Sequence, residues 1–160
     1  MSLVDLPEGV KLCELTKQKT YALWDKVKNY EVLFSDDIRW SVVWFFERMW
    51  NEETVVLETE GGLLILTGVK PNAITAGVHI IFWDHKLSAR TELFKECLVW
   101  AFLQFGFYRL EALIPEFCRG LQRFMQEKLK FVCEGRMRDR ILYKGQLADV
   151  KIYSILRKEM

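Results

Sequence analysis

The middle of the chain restricts the fold most. Thr75 to Trp83 is a long apolar run, and a helix that starts at Ser88 or Thr91 and runs to Gln104 follows, with Leu93, Cys97, Trp100, Ala101 and Phe105 at helical spacing. Gly106 supplies a stop, and Tyr108 to Ile114 is apolar again. Strand, helix and strand in immediate succession describe a crossover unit, in which a helix carries the chain between two strands of one sheet.

The flanks add hairpins. Val55 to Thr59 and Leu63 to Val69 are strand-like runs on either side of Gly61-Gly62, and Lys70-Pro71-Asn72 is a further turn. Leu121 to Leu129 is a short amphipathic helix, and Val132 to Tyr143 and Asp149 to Leu156 are strands around Lys144-Gly145-Gln146. Toward the start, Val10 to Leu15 alternates as a strand, and Tyr21, Trp24, Val27 and Val32 mark a helix that frays near Asn29. Ser35-Asp36-Asp37 caps a second helix, Ile38 to Asn51, rich in tryptophan (Trp40, Trp44, Trp50). The order β-α-α-β-β-β-α-β-α-β-β predicts an α/β domain with a mixed sheet and helices on both faces. With 160 residues and no interdomain linker, one domain spanning 1–160 is expected.

Charge excludes some functions. With 23 basic and 22 acidic residues the net charge is +1, so no global field recruits nucleic acid or an anionic membrane. The local cluster Lys128, Lys130, Arg136, Arg138 and Arg140 is interrupted by Glu127, Glu134 and Asp139 and reads as a solvated face. No uncharged run approaches the roughly 20 residues a membrane span needs, and Asp5 and Glu8 break any leader-like start. Cys13, Cys97, Cys118 and Cys133 show no paired spacing, which fits a reduced, cytoplasmic protein without a metal site.

In the second half, Thr91-Glu92-Leu93, Ala101-Phe102, Gly106-Phe107 and Arg109-Leu110-Glu111 resemble the "T-E-A-L", "A-F", "L-G" and "R-V-E-A" of the ribosomal-protein group of the GNAT N-acetyltransferase superfamily. Glu127-Lys128-Leu129-Lys130-Phe131 resembles "E-K-L-G-F", and Glu134-Gly135 with Arg138-Asp139 resembles "E-G-x-x-R-D". Gly145, Asp149, Tyr153-Ser154 and Leu156 resemble the closing "G-x-x-x-D-x-x-x-Y-S-x-L". Residues 1–75 match only in their pattern of elements. The resemblance implies a GNAT-like fold, acetyl-CoA as co-substrate and no metal, with an amine acceptor that is a protein N-terminus or a small molecule. The alternative within the same fold is an interaction module that no longer binds CoA, acting as a homodimer or with a protein partner.

The same resemblance assigns site residues. The family's glycine-rich phosphate loop corresponds to Asp84 through Thr91, which contains no glycine; Lys86 and Ser88 stand at the glycine positions and Arg90 at a small-residue position. These side chains either block the backbone from a diphosphate or replace it, since Lys86 and Arg90 are cations and Ser88 is a donor. Lys86, Ser88, Ala89, Arg90 and Thr91 are therefore candidate cofactor-binding residues, with Phe82 and Trp83 holding the thioester carbonyl and Arg119 and Gln122 along the CoA arm. Gln126 stands where many members carry a tyrosine acid, and an amide cannot supply that proton. Lys130 replaces a helix-ending glycine.

For chemistry, Asp84 either accepts the amine proton or caps the central helix, and His85 follows it. Glu111 either faces the acceptor or is a paired structural carboxylate. Tyr153 lines the acceptor cleft or packs in the core. His79, mid-strand among apolar residues, reads as a core histidine.

Overall fold

Leu63 to Leu66 is apolar at every position because the strand carrying it is covered on both faces, and every residue from Gly62 to Leu66 is buried. The computed structural model describes residues 4–14, 16–28, 43, 47, 51–84 and 90–160. In chain order it contains β1 (Lys11–Leu12), α1 (Lys17–Val27), β2 (Val55–Thr59), β3 (Gly62–Thr67), β4 (Thr75–Phe82) and α2 (Thr91–Phe105). Then come β5 (Arg109–Pro115), α3 (Arg119–Arg123) running into a π turn over Phe124–Lys128, β6 (Val132–Tyr143) and β7 (Gln146–Leu156). Of the tryptophan-rich second helix, Val43 and Glu47 are described and helical; Trp40, Trp44 and Trp50 lie outside the described residues.

The seven strands form one sheet in the order β1-β2-β3-β4-β5-β7-β6. Every neighbouring pair is antiparallel except β4 and β5, the two joined by α2. Register sorts the side chains. Leu64 and Leu66 stand opposite Ile80 and Val78, on the face that packs Phe94, Leu98 and Phe102 of α2. Leu63 and Ile65 turn the other way, where Leu23 and Val27 of α1 cover them. Helices therefore lie on both faces, as the mixed pattern predicts.

Local chemistry sets the boundaries. The Thr16 hydroxyl accepts the Lys19 N–H at 3.1 Å and starts α1, which ends the first strand early. β1 has two residues, and of the expected run from Val10 to Leu15 the ends Val10, Cys13 and Glu14 are not strand while Leu15 lies outside the described residues. Gly106, at φ 73, closes α2 with its N–H on the Phe102 carbonyl. Lys144 and Gly145, at φ 51 and 74, make the two-residue turn of the β6–β7 hairpin, so β7 begins at Gln146 rather than Asp149. The last helix is not α throughout, because Leu129 donates to the Phe124 carbonyl across a π turn. No described helix is long and apolar enough to cross a membrane.

Lys130 leaves that turn at φ 64, left-handed backbone in which a Cβ is unfavourable. Lys130→Gly is expected to stabilise the fold by about 1 kcal/mol, read as a rise of a few degrees in thermal melting. An unchanged or lower melting temperature would contradict that geometry.

Candidate active site

β4 and β5 part company. They pair only from Thr75↔Arg109 to Gly77↔Glu111, after which β4 runs on to Phe82 and β5 to Pro115 with no pairing between them. The Trp83 N–H bonds the Gly61 carbonyl on the β3 side at 3.1 Å, so the alternation of an antiparallel ladder turns the amides of Val78, Ile80 and Phe82 toward β5. Val78 still meets β5 at the last paired position, and beyond it the amides of Ile80 and Phe82 look across an opening rather than at a strand. Of the pair Phe82 and Trp83, only Phe82 can present its N–H to that opening.

The start of α2 stands at the end of β4. Its cap residue, Arg90, makes no side-chain cap, and the helix's first amides are the positive end of its dipole. Thr91, its first residue, is 9% exposed, and Thr91 Oγ1 is the only buried side-chain polar atom without a hydrogen-bond partner among the described residues. An unpaired buried hydroxyl is costly, and a polar ligand at the helix start would satisfy it. The diphosphate of an acyl-CoA fits that donor set. His85, Lys86, Ser88 and Ala89 lie outside the described residues.

Arg90 does not face the opening. Its Nη2 lies 2.8 Å from Asp84 Oδ2, and its guanidinium is packed on Gly61, on the β3 side of β4. The expectation that Arg90 reaches a phosphate is thus replaced by an ion pair. Asp84 is engaged by Arg90. Phe82 packs edge-on against Phe94 at 4.9 Å and Phe124 at 5.3 Å, so rings from β4, α2 and the π turn meet on the α2 side of the opening. Trp83 turns to the α1 face, where its Nε1 donates to the Glu60 carbonyl at 3.2 Å and Lys26 sits over its ring at 4.5 Å.

Glu111 lies on the α1 face at the last paired position and takes the Arg109 Nε at 2.5 Å. Arg109 also reaches both oxygens of Glu134, which accepts the Ser154 hydroxyl as well. The hydrogen bonds from Arg109 first, then Ser154, pull the Glu134 carboxyl down to about 2, and the two carboxylates push the Arg109 guanidinium further up. Such a depressed carboxyl contributes stability in full above its ordinary value of 4.5 and loses it as pH falls toward about 2. Melting temperature followed from pH 5 to pH 2.5 should therefore fall further for the parent chain than for Glu134→Gln; parallel curves would contradict the pairing.

Tyr153 is fully buried on the α2 face, and burial is the main cause that pushes its phenol up to about 12. Its hydroxyl lies 3.4 Å from Gln122 Oε1, which also receives Lys151 Nζ at 3.0 Å. Gln122 Nε2 donates to the carbonyls of Pro115 and Glu116, so Gln122 ties the helix to the end of β5 instead of presenting its amide to a ligand. Arg119 is exposed at the start of α3. His79 is the correction on β4: it is exposed on the α1 face, two residues beyond the last paired position, and not in the core. It shares that face with Glu111, on the opposite lip of the opening. Its apolar neighbours in sequence, Val78 and Ile80, point to the other face and say nothing about its own surroundings. Among the described residues no group of three or more His, Cys, Asp or Glu is placed to hold a metal.

No protein-family profile matches the chain, and no curated protein sequence matches it. Solved structures do. The spermidine N-acetyltransferase of Vibrio cholerae in complex with CoA and spermine superposes with a TM-score of 0.75 at 17% identity, over 96% of this chain and 98% of that one. Mutant forms of the spermidine/spermine N-acetyltransferase SpeG from the same organism give 0.72 at 17% identity, over 95% and 96%. A further SpeG variant gives 0.73 at 18% identity, over 95% and 96%. The chain has the mixed α/β fold of these N-acetyltransferases along nearly its whole length.

Proposed function

We propose that the chain is an acetyl-CoA-dependent N-acetyltransferase of the ribosomal-protein-like GNAT group. The observation that carries this is the opening between β4 and β5, with edge amides on one side and the partnerless Thr91 hydroxyl at the helix start beyond it. A pantetheine arm is amide-rich and can pair along the β4 edge as a strand would, while its diphosphate meets the start of α2. The fold shared with a CoA-bound spermidine N-acetyltransferase supports the reading.

In the reaction a neutral amine attacks the thioester carbonyl, the C–S bond breaks and the amine proton leaves. The Phe82 amide is the donor available to polarise the carbonyl. The proton passes to His79, directly or through water, since it stands on the α1 face beside the opening, while Glu111 on the same face is held by Arg109. Asp84 is held by Arg90 and Tyr153 is buried on the other face, so they take supporting places. The departing thiolate takes its proton from solvent.

The acceptor is a small-molecule amine, a proposal supported by the spermine held in the superposed structure, and the free cysteines fit a cytoplasmic setting. Incubation with acetyl-CoA and a panel of polyamines and N-terminal peptides, read by mass spectrometry, should give acetylated polyamine. Acetylation of peptides alone would move the acceptor to protein N-termini, and no product from either would remove the catalytic reading.

The three rings Phe82, Phe94 and Phe124 favour a second reading. They close part of the α2 side of the opening, as expected of a GNAT-fold interaction module that has given up CoA. That reading predicts no response to acetyl-CoA and burial of an exposed patch on self-association or against a protein partner.

A further inference from the structure

Gly61 joins three parts of the site, and its missing side chain is what lets it. Its φ lies outside the left-handed region, so backbone geometry alone does not demand glycine there. A Cβ on Gly61 would sit 2.1 Å from Arg90 Cζ and Nη1 and 2.2 Å from Nη2, which means that the guanidinium lies flat on the Gly61 backbone. The Gly61 carbonyl meanwhile accepts the N–H groups of Trp83 at 3.1 Å and Asp84 at 3.3 Å. Asp84 closes the set by taking Arg90 Nη2 at 2.8 Å. The β2–β3 turn, the end of β4 and the residue before α2 are thereby locked together. The Arg90 side chain is 13% exposed, and it keeps that buried position through the stack and the ion pair.

We infer that Arg90 is a positioning residue: seated on Gly61 and held by Asp84, it fixes the start of α2 against the end of β4. The inference rests on the acyl-CoA reading. A glycine-rich phosphate loop shapes the anion site with its own backbone. Here a brace from the neighbouring turn holds the Thr91 hydroxyl and the first helix amides in place. Arg90 contributes rigidity at that site, not a phosphate contact.

Gly61→Ala isolates the brace, because the three atoms nearest the new methyl all belong to the Arg90 guanidinium and no charge changes. The experiment compares acetyl-CoA dissociation constants of the parent, Gly61→Ala, Arg90→Ala and the double variant, with melting temperatures alongside. Gly61→Ala is expected to weaken binding about tenfold, with melting within a few degrees of the parent. The double variant should bind like Arg90→Ala alone, since the methyl acts only through the displaced guanidinium. Binding by Gly61→Ala within twofold of the parent, or additive losses in the double variant, would overturn the inference while leaving the acyl-CoA reading intact. A parent chain that does not bind acetyl-CoA would remove that reading, and the inference with it. If Gly61→Ala fails to fold, Arg90→Lys takes its place: it keeps the charge but loses the flat stack, and parent-like affinity would overturn the inference equally.

Discussion

Phe94→Ala is expected to destabilise the fold by about 3–5 kcal/mol and to lower its melting temperature by roughly 10 °C or more. Phe94 is fully buried in the first turn of α2, with Phe82 at 4.9 Å and Phe124 at 6.3 Å. Truncation loses the transfer free energy of the ring and leaves a cavity between three elements that have other reasons to stay in place. β4 is held by β3, α2 by its other buried residues, and the π turn by Met125 and Leu129. The walls therefore cannot collapse to fill the space. Phe94→Leu, which keeps most of the volume, should cost much less. Thermal and denaturant melts of both variants check this, and a loss below about 1 kcal/mol for the alanine would mean that the ring cluster is not packed as described.

Thr91→Val should move stability and affinity in opposite directions. Valine is nearly isosteric with threonine and removes the one buried hydroxyl that finds no partner among the described residues. The free protein gains about 1 kcal/mol, because a desolvated, unbonded oxygen is replaced by a methyl group. Acetyl-CoA binding weakens about tenfold, because the same oxygen is the donor that the bound ligand would satisfy. Melting with and without ligand reads both effects in one experiment. A variant that loses stability would show that the hydroxyl is bonded in the free chain. One that gains stability and keeps its affinity would separate the hydroxyl from the ligand.

Elements bounded by local chemistry could be read from the sequence. Val55 to Thr59 and Val132 to Tyr143 are found with the expected ends, and Gly106 stops α2 as its position requires. The crossover unit makes β4 and β5 parallel partners, as found, but does not by itself encode the opening between them. What sequence could not supply was direction and distance. The apolar residues beside His79 in sequence belong to the opposite face of the strand and do not report its surroundings. Arg90 stands in the phosphate-loop stretch by sequence, yet its partner surface is Gly61, almost thirty positions away, and no local spacing encodes that contact. Gly61-Gly62 read as a tight turn for backbone reasons, whereas neither glycine has left-handed φ. Gly61 makes room for a guanidinium, and a Cβ on Gly62 would strike the Ile81 carbonyl at 2.5 Å. Gln122 stands at a ligand position of the family it resembles, and it is bound to two backbone carbonyls that only the fold brings near.

The central claim is that the gap between β4 and β5, ending at the start of α2, receives an acyl-CoA. Calorimetric titration of the intact chain with acetyl-CoA tests it directly. One saturable site is predicted, with a dissociation constant in the range of about 1 μM to 1 mM usual for enzyme substrates, and a matching rise in melting temperature at saturation. No heat of binding and no shift in melting at millimolar acetyl-CoA would contradict it.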